Sequence, residues 1–129
     1  IGILVITHED LGEHLIRCAS HVLGMRPPQL AHLGVFVEDD PDTVLAKARD
    51  LLTQLDSGAG TLVITDMLGA TPCNIASRLI QAGKVECLAG ANLPMLVRAL
   101  AYRAEPLPVV TEKGLSGGQC GVVHIKAES

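Results

Sequence analysis

Aromatic residues are almost absent: the 129 residues contain one Phe, one Tyr and no Trp. There are few rings to stack on bases and no Lys/Arg run or stripe, so nothing points to nucleic acid as a partner. A core without aromatics must be built from Leu, Val, Ile and Ala, which supply most of a hydrophobic fraction of 48%. Small branched side chains of this kind suit parallel strands covered by helices. No stretch nears the ~20 apolar residues of a membrane span. The opening IGILVITHED lacks the basic start and small-residue cleavage site of a secretory signal, and a cytoplasmic location is the expectation. The cysteines Cys18, Cys73, Cys87 and Cys120 form no CxxC pair. They are expected as reduced thiols buried in apolar segments. Net charge is −4 with both signs mixed, and the length fits one domain spanning residues 1–129.

What is present is a regular alternation. Ile1–Ile6 is a continuous apolar run, as in a strand buried on both faces. Leu11, Leu15, Ile16, Ala19, Val22 and Leu23 then recur at helical spacing up to Gly24, with Asp10 and Glu13 spaced as a capping box. His32–Val37 reads as a second strand. Asp40-Pro41 opens a second helix, which carries Val44, Leu45, Ala48, Leu51, Leu52 and Leu55 to a stop at Ser57-Gly58. Thr61–Thr65 is a third strand, and Thr71-Pro72 starts a helix running to about Gln81. Val85–Ala89 is a fourth strand and Leu93–Tyr102 a fourth helix. This order predicts an α/β fold: an open, mostly parallel β-sheet with right-handed crossovers and helices on both faces. In the tail, Leu107–Ser116 reads as a weak helix, broken or shortened by Pro108 and Gly114. Cys120–Ile125 is expected as a fifth strand, antiparallel, at the sheet edge or paired with another subunit.

Ligands of such sheets bind beyond the carboxyl ends of the strands. Three loops are expected to meet there: Thr7-His8-Glu9-Asp10, Asp66 to Pro72, and Gly90-Ala91-Asn92. A histidine can serve as a nucleophile near neutral pH if an acceptor holds one ring nitrogen and leaves a lone pair on the other. His8 is the candidate nucleophile and Asp66 the candidate acceptor. Gly69-Ala70-Thr71 leads into a helix start, where small residues, backbone N–H groups and a hydroxyl suit a phosphoryl group. The Gly-Lys-Ser/Thr ending of a Walker A loop is missing. Each feature has a plainer reading: His8 as a surface or cap residue, Asp66 as a turn residue, Thr71-Pro72 as a mere helix start. Their convergence on one rim favours the chemical reading. His14, Cys18 and His21 share a helix face at zinc-like spacing, but no fourth ligand is evident. No metal or cofactor is expected.

With these residues in place, the chain resembles the mannose-type enzyme IIA component of the bacterial phosphoenolpyruvate-dependent sugar phosphotransferase system. The resemblance rests on Thr7-His8 with its helix to Gly24, on Asp66 through Arg78, and on Ala89-Gly90-Ala91-Asn92-Leu93-Pro94-Met95-Leu96. It covers all but the C-terminal part of the chain. It implies that His8 is phosphorylated on the ring nitrogen away from Asp66, with Thr7, Gly69, Ala70 and Thr71 around the phosphoryl group. It implies the phosphocarrier HPr as donor and a histidine of an enzyme IIB protein as acceptor. It further implies a homodimer with the last strand exchanged. Ala70 stands in place of a second glycine, Ile6 where a Gly often precedes Thr-His, and Leu68 where some members have an aromatic. No IIB segment follows, which implies an acceptor on a separate chain, or none and a regulatory role. A phosphotransfer subunit of dihydroxyacetone kinase, which also uses a histidine after the first strand, is one alternative. A receiver-like module phosphorylated on Asp66 is another, but it has no use for His8.

Overall fold

A computed structural model of the chain describes residues 1–128. Four strands, β1 (Gly2–His8), β2 (Leu30–Val35), β3 (Thr61–Thr65) and β4 (Val85–Ala89), form one sheet in the order β2-β1-β3-β4. All neighbours are parallel. Helices α1 (Leu11–Leu23), α2 (Pro41–Leu55), α3 (Thr71–Ser77), α4 (Leu93–Ala101) and α5 (Leu107–Cys120) cover both faces. No helix among the described residues is long and apolar enough to cross a membrane.

The central strand explains the apolar run. Ile3 and Val5 pack with Ile16, Ala19, Leu96 and Val110 of α1, α4 and α5. Leu4 and Ile6 pack with Val44, Ala48, Ile75 and Ala76 of α2 and α3. With both faces covered, alternation gives way to continuous hydrophobicity. Each Val, Leu or Ile side chain removed from water here stabilises the fold by roughly 1.5–3 kcal/mol.

Local chemistry sets most boundaries. Asp40 caps α2 by accepting from the Thr43 N–H at 3.2 Å, with Pro41 in the first turn. Asn92 caps α4 through the Met95 N–H at 2.9 Å, and its amide donates to the Gly118 carbonyl of α5 at 3.0 Å.

Several expectations are corrected. β2 begins and ends two residues earlier than the expected His32–Val37. The capping box at α1 does not form: Asp10 makes no side-chain cap, and Glu13 instead binds Arg26 at 2.9 Å. Thr71 is the first residue of α3 rather than its cap, which is Ala70. α3 ends at Ser77, not Gln81, because Gln81 and Val85 pair through their backbones and turn the chain into β4. α5 is longer than the broken helix expected over Leu107–Ser116. Pro108 sits in the first turn, where no N–H is needed. Gly114, Gly117 and Gly118 let α5 lie close on its neighbours: a Cβ on Gly117 would come within 2.7 Å of the Arg98 side chain, and one on Gly118 within 2.8 Å of Met95. No fifth strand forms among the described residues, since α5 continues through Cys120 and residues 122–128 carry no element. Of the cysteines only Cys73 is buried; Cys87 is partly buried, and Cys18 and Cys120 are exposed. Burial pushes the Cys87 thiol up to about 11.

Candidate functional site

His8 is the last residue of β1, the strand flanked by β2 and β3. Ile6 lies level with Thr65 on β3, so Asp66, the first residue past β3, follows at the level of Thr7 and reaches the neighbouring His8 with its side chain. Asp66 Oδ2 accepts from the His8 backbone N–H at 3.0 Å and lies 2.8 Å from His8 Nδ1. Asp66 Oδ1 accepts from the Met67 N–H at 3.0 Å. The carboxylate is thus held on both oxygens, with its side chain 8% exposed against 50% for His8.

The geometry fixes the tautomer. An ionised carboxylate only accepts, so His8 Nδ1 carries a hydrogen, and in the neutral ring the lone pair is then on Nε2. Burial alone would raise the Asp66 carboxyl. The His8 N–H and the His8 ring outweigh it and hold the group below the ordinary aspartate range. Asp66 therefore stays ionised and able to orient the ring.

The exposed side of His8 borders an open groove of about 400 Å³, lined also by Glu9, Val35, Phe36, Val37, Asp39, Pro41, Val44 and Thr71. No Lys or Arg lines it. Asp39 is tied down, accepting from the Phe36 N–H at 2.8 Å. Val37 is 97% exposed, and Leu68 in the loop after Asp66 is 81% exposed.

The expected site residues divide accordingly. His8, Asp66 and Thr71 come together; Gly69 is exposed with φ +83°, and Ala70 is the half-buried cap before Thr71. Thr7 does not face the groove. Its side chain is fully buried, and its hydroxyl accepts from the Gly12 N–H at 2.8 Å, at the start of α1. Alternation along β1 turns Thr7 to the face opposite His8, so it is corrected from a phosphoryl contact to a support of the turn. The Gly90-Ala91-Asn92 loop is corrected too, because β4 lies beyond β3 and away from β1. That loop acts from behind: the Ala91 N–H donates to the Thr65 carbonyl at 3.0 Å, at the base of Asp66. The loop that borders His8 instead follows β2 and carries Phe36, Val37 and Asp39. The sequence pointed to it only through strand order, since a strand paired with β1 must end beside His8. His14, Cys18 and His21 are exposed on α1, and no group of three or more His, Cys, Asp or Glu that could hold a metal occurs among the described residues.

Fold and site together define a class: a parallel α/β module that presents an aspartate-oriented histidine at the carboxyl edge of its sheet. The model of the family described as PTS system fructose IIA component matches residues 2–107, and the chain belongs to that family. That family is a mannose-type IIA family of the sugar phosphotransferase system. Over 131 residues it is 29% identical to the PTS system mannose-specific EIIAB component of Escherichia coli strain K12, covering 99% of this chain and 40% of that relative. The chain thus spans well under half of that relative's length. The mannose/sorbose-specific IIA subunit from Enterococcus faecalis superposes with a TM-score of 0.88 at 22% identity, covering 99% of this chain and 96% of that one. Component EIIA from Streptococcus agalactiae superposes with a TM-score of 0.84 at 22% identity, covering 95% of each chain. These two likenesses show the fold.

Proposed function

We propose that this chain is a phosphocarrier that accepts a phosphoryl group on His8 Nε2 from phospho-HPr and passes it to a histidine of an enzyme IIB protein, in sugar uptake or its regulation. The observation that carries this reading is the pairing of His8 Nδ1 with the buried Asp66 carboxylate at 2.8 Å, which leaves Nε2 free on the exposed side. In the forward step the Nε2 lone pair forms the new N–P bond as the N–P bond to the donor imidazole breaks. Asp66 stabilises the positive charge that His8 gains. No bond of the protein itself breaks, so positioning and electrostatics supply the catalysis. Gly69, Ala70 and Thr71 supply the phosphoryl oxygens with the Thr71 hydroxyl and uncapped N–H groups of the first turn of α3. Glu9 and Asp39 on the groove wall raise the energy of the bound phosphoryl group, which favours passing it on. Exposed Val37, Met67 and Leu68 offer apolar contact to either partner. The same reading includes a homodimer formed by exchange of the C-terminal segment, supported by the exposure of Val122, Val123 and Ile125.

The test is labelling. Phosphoenolpyruvate, enzyme I and HPr are expected to label the wild-type chain with an acid-labile, hydroxylamine-resistant phosphoryl group, and to leave His8→Ala unlabelled. Label that persists in His8→Ala, or that hydroxylamine removes as from an acyl phosphate on Asp66, contradicts the proposal.

A further inference from the structure

Immediately past His8, Glu9 has φ +45°, in the left-handed region that side chains other than glycine rarely occupy. Something must hold it there, because the same turn sets the direction of the His8 ring. The restraints come from β2. The Glu9 N–H donates to the Val35 carbonyl at 3.0 Å. The Glu9 carbonyl lies over Gly34, where a Cβ would come within 2.3 Å of that oxygen. His32, two residues earlier on β2, reaches the residue before His8. Its Nε2 is 3.4 Å from Thr7 Oγ1, which itself accepts from the Gly12 N–H at the start of α1. Gly12 leaves room for the imidazole, since a Cβ there would lie 2.4 Å from His32 Cδ2. One imidazole thus touches both the residue before His8 and the first turn of α1, on the strand whose next residues hold Glu9.

We propose that His32 is a positioning residue for phosphoryl transfer, fixing the Thr7–Glu9 turn so that His8 stays seated on Asp66 with Nε2 facing the groove. The inference rests on the reading of His8 as the phosphoryl carrier. Burial holds the His32 ring below the ordinary histidine range, against the Glu9 backbone and the carboxylates of Glu13 and Asp10, while His14 adds to the lowering. The ring therefore acts as a neutral hydrogen-bonding wedge, not as a charge.

The experiment compares the wild type, His32→Leu and His32→Gln as acceptors from phospho-HPr, with the His8 ring nitrogens followed by NMR. His32→Leu substitutes an apolar side chain of similar bulk and removes the contact to Thr7; His32→Gln restores polar reach. In His32→Leu, kcat is expected to fall about tenfold with KM for HPr unchanged, since small misplacements of a reacting group carry costs of this order or more. The Nδ1 resonance of His8 is expected to move away from its Asp66-bonded position, and His32→Gln to recover most of both. A wild-type kcat in His32→Leu, an effect confined to KM, or a loss shared equally by His32→Gln overturns the inference while leaving the carrier reading intact. An unlabelled wild type overturns both.

Discussion

At the residue scale, the account turns on one carboxylate. Asp66 spends Oδ2 on the backbone and ring of His8 and Oδ1 on Met67. Asp66→Asn keeps the size but offers the ring a mixed donor and acceptor in place of a charge. Phosphoryl transfer is expected to slow by on the order of 10²-fold, as when an oriented acid–base partner is lost, with the circular dichroism spectrum unchanged. An equal rate in both proteins removes Asp66 from the mechanism. The same contact has a sign in pH. A carboxyl whose folded value is depressed adds stability that is fully present above its unfolded value and is lost as pH falls through the folded one. Thermal melts in acid are therefore expected to show the wild type losing its advantage over Asp66→Asn below the ordinary aspartate range; parallel curves show that the contact does not form. Next to Asp66, the Thr65 hydroxyl is buried with no hydrogen-bond partner among the described residues. Such a group costs about 1–3 kcal/mol when left unsatisfied. Thr65→Val, of the same shape, is expected to hold or raise the melting temperature, and a clear fall means that the hydroxyl has a partner in solution.

At the element scale, the strands and helices with strong local chemistry were legible. Thr61–Thr65 and Val85–Ala89 were read with the observed boundaries, and Asp40-Pro41 marked the start of α2, because apolar runs and caps are local signals. Elements decided by contacts distant in sequence were not. Gly114, Gly117 and Gly118 weaken α5 as an isolated helix, and by propensity alone they argue for a break. In the fold they are the surface on which Leu88, Arg98 and Met95 sit. Gly117→Ala separates the two effects: it improves propensity but drives a Cβ to 2.8 Å from Arg98 Cβ, which belongs to no flexible chain end. Overpacking of this kind typically costs about 1–3 kcal/mol. Chemical denaturation is expected to show Gly117→Ala less stable than the wild type; a more stable variant means that α4 and α5 are not packed this closely.

At the scale of the whole molecule, the topology was legible from the β-α alternation, but the neighbourhood of the site was not. The β-α alternation puts His8, Asp66 and Thr71 on one rim of the sheet, while the strand order that sets the loop after β2 against His8, and β4 two strands from β1, comes from pairing. Thr7 differs, since strand alternation alone turns it to the face opposite His8, where its hydroxyl accepts from the Gly12 N–H. The C-terminal segment poses the remaining question at this scale. Val122, Val123 and Ile125 are exposed beyond α5, and burying them in a partner is the economy expected of a dimer. Sedimentation is expected to show dimers for the full chain and monomers for a chain truncated after Gly121; identical behaviour of the two removes the exchange.

All three scales depend on where the phosphoryl group sits. The most direct measurement is NMR of the ¹⁵N-histidine-labelled chain after phosphorylation through enzyme I and HPr, reading phosphorus–nitrogen coupling at each ring nitrogen. The expected result is coupling at His8 Nε2, with the Nδ1 proton still bonded to Asp66. Coupling at Nδ1, at another histidine, or at none contradicts the assignment of His8 as an Asp66-oriented phosphoryl carrier.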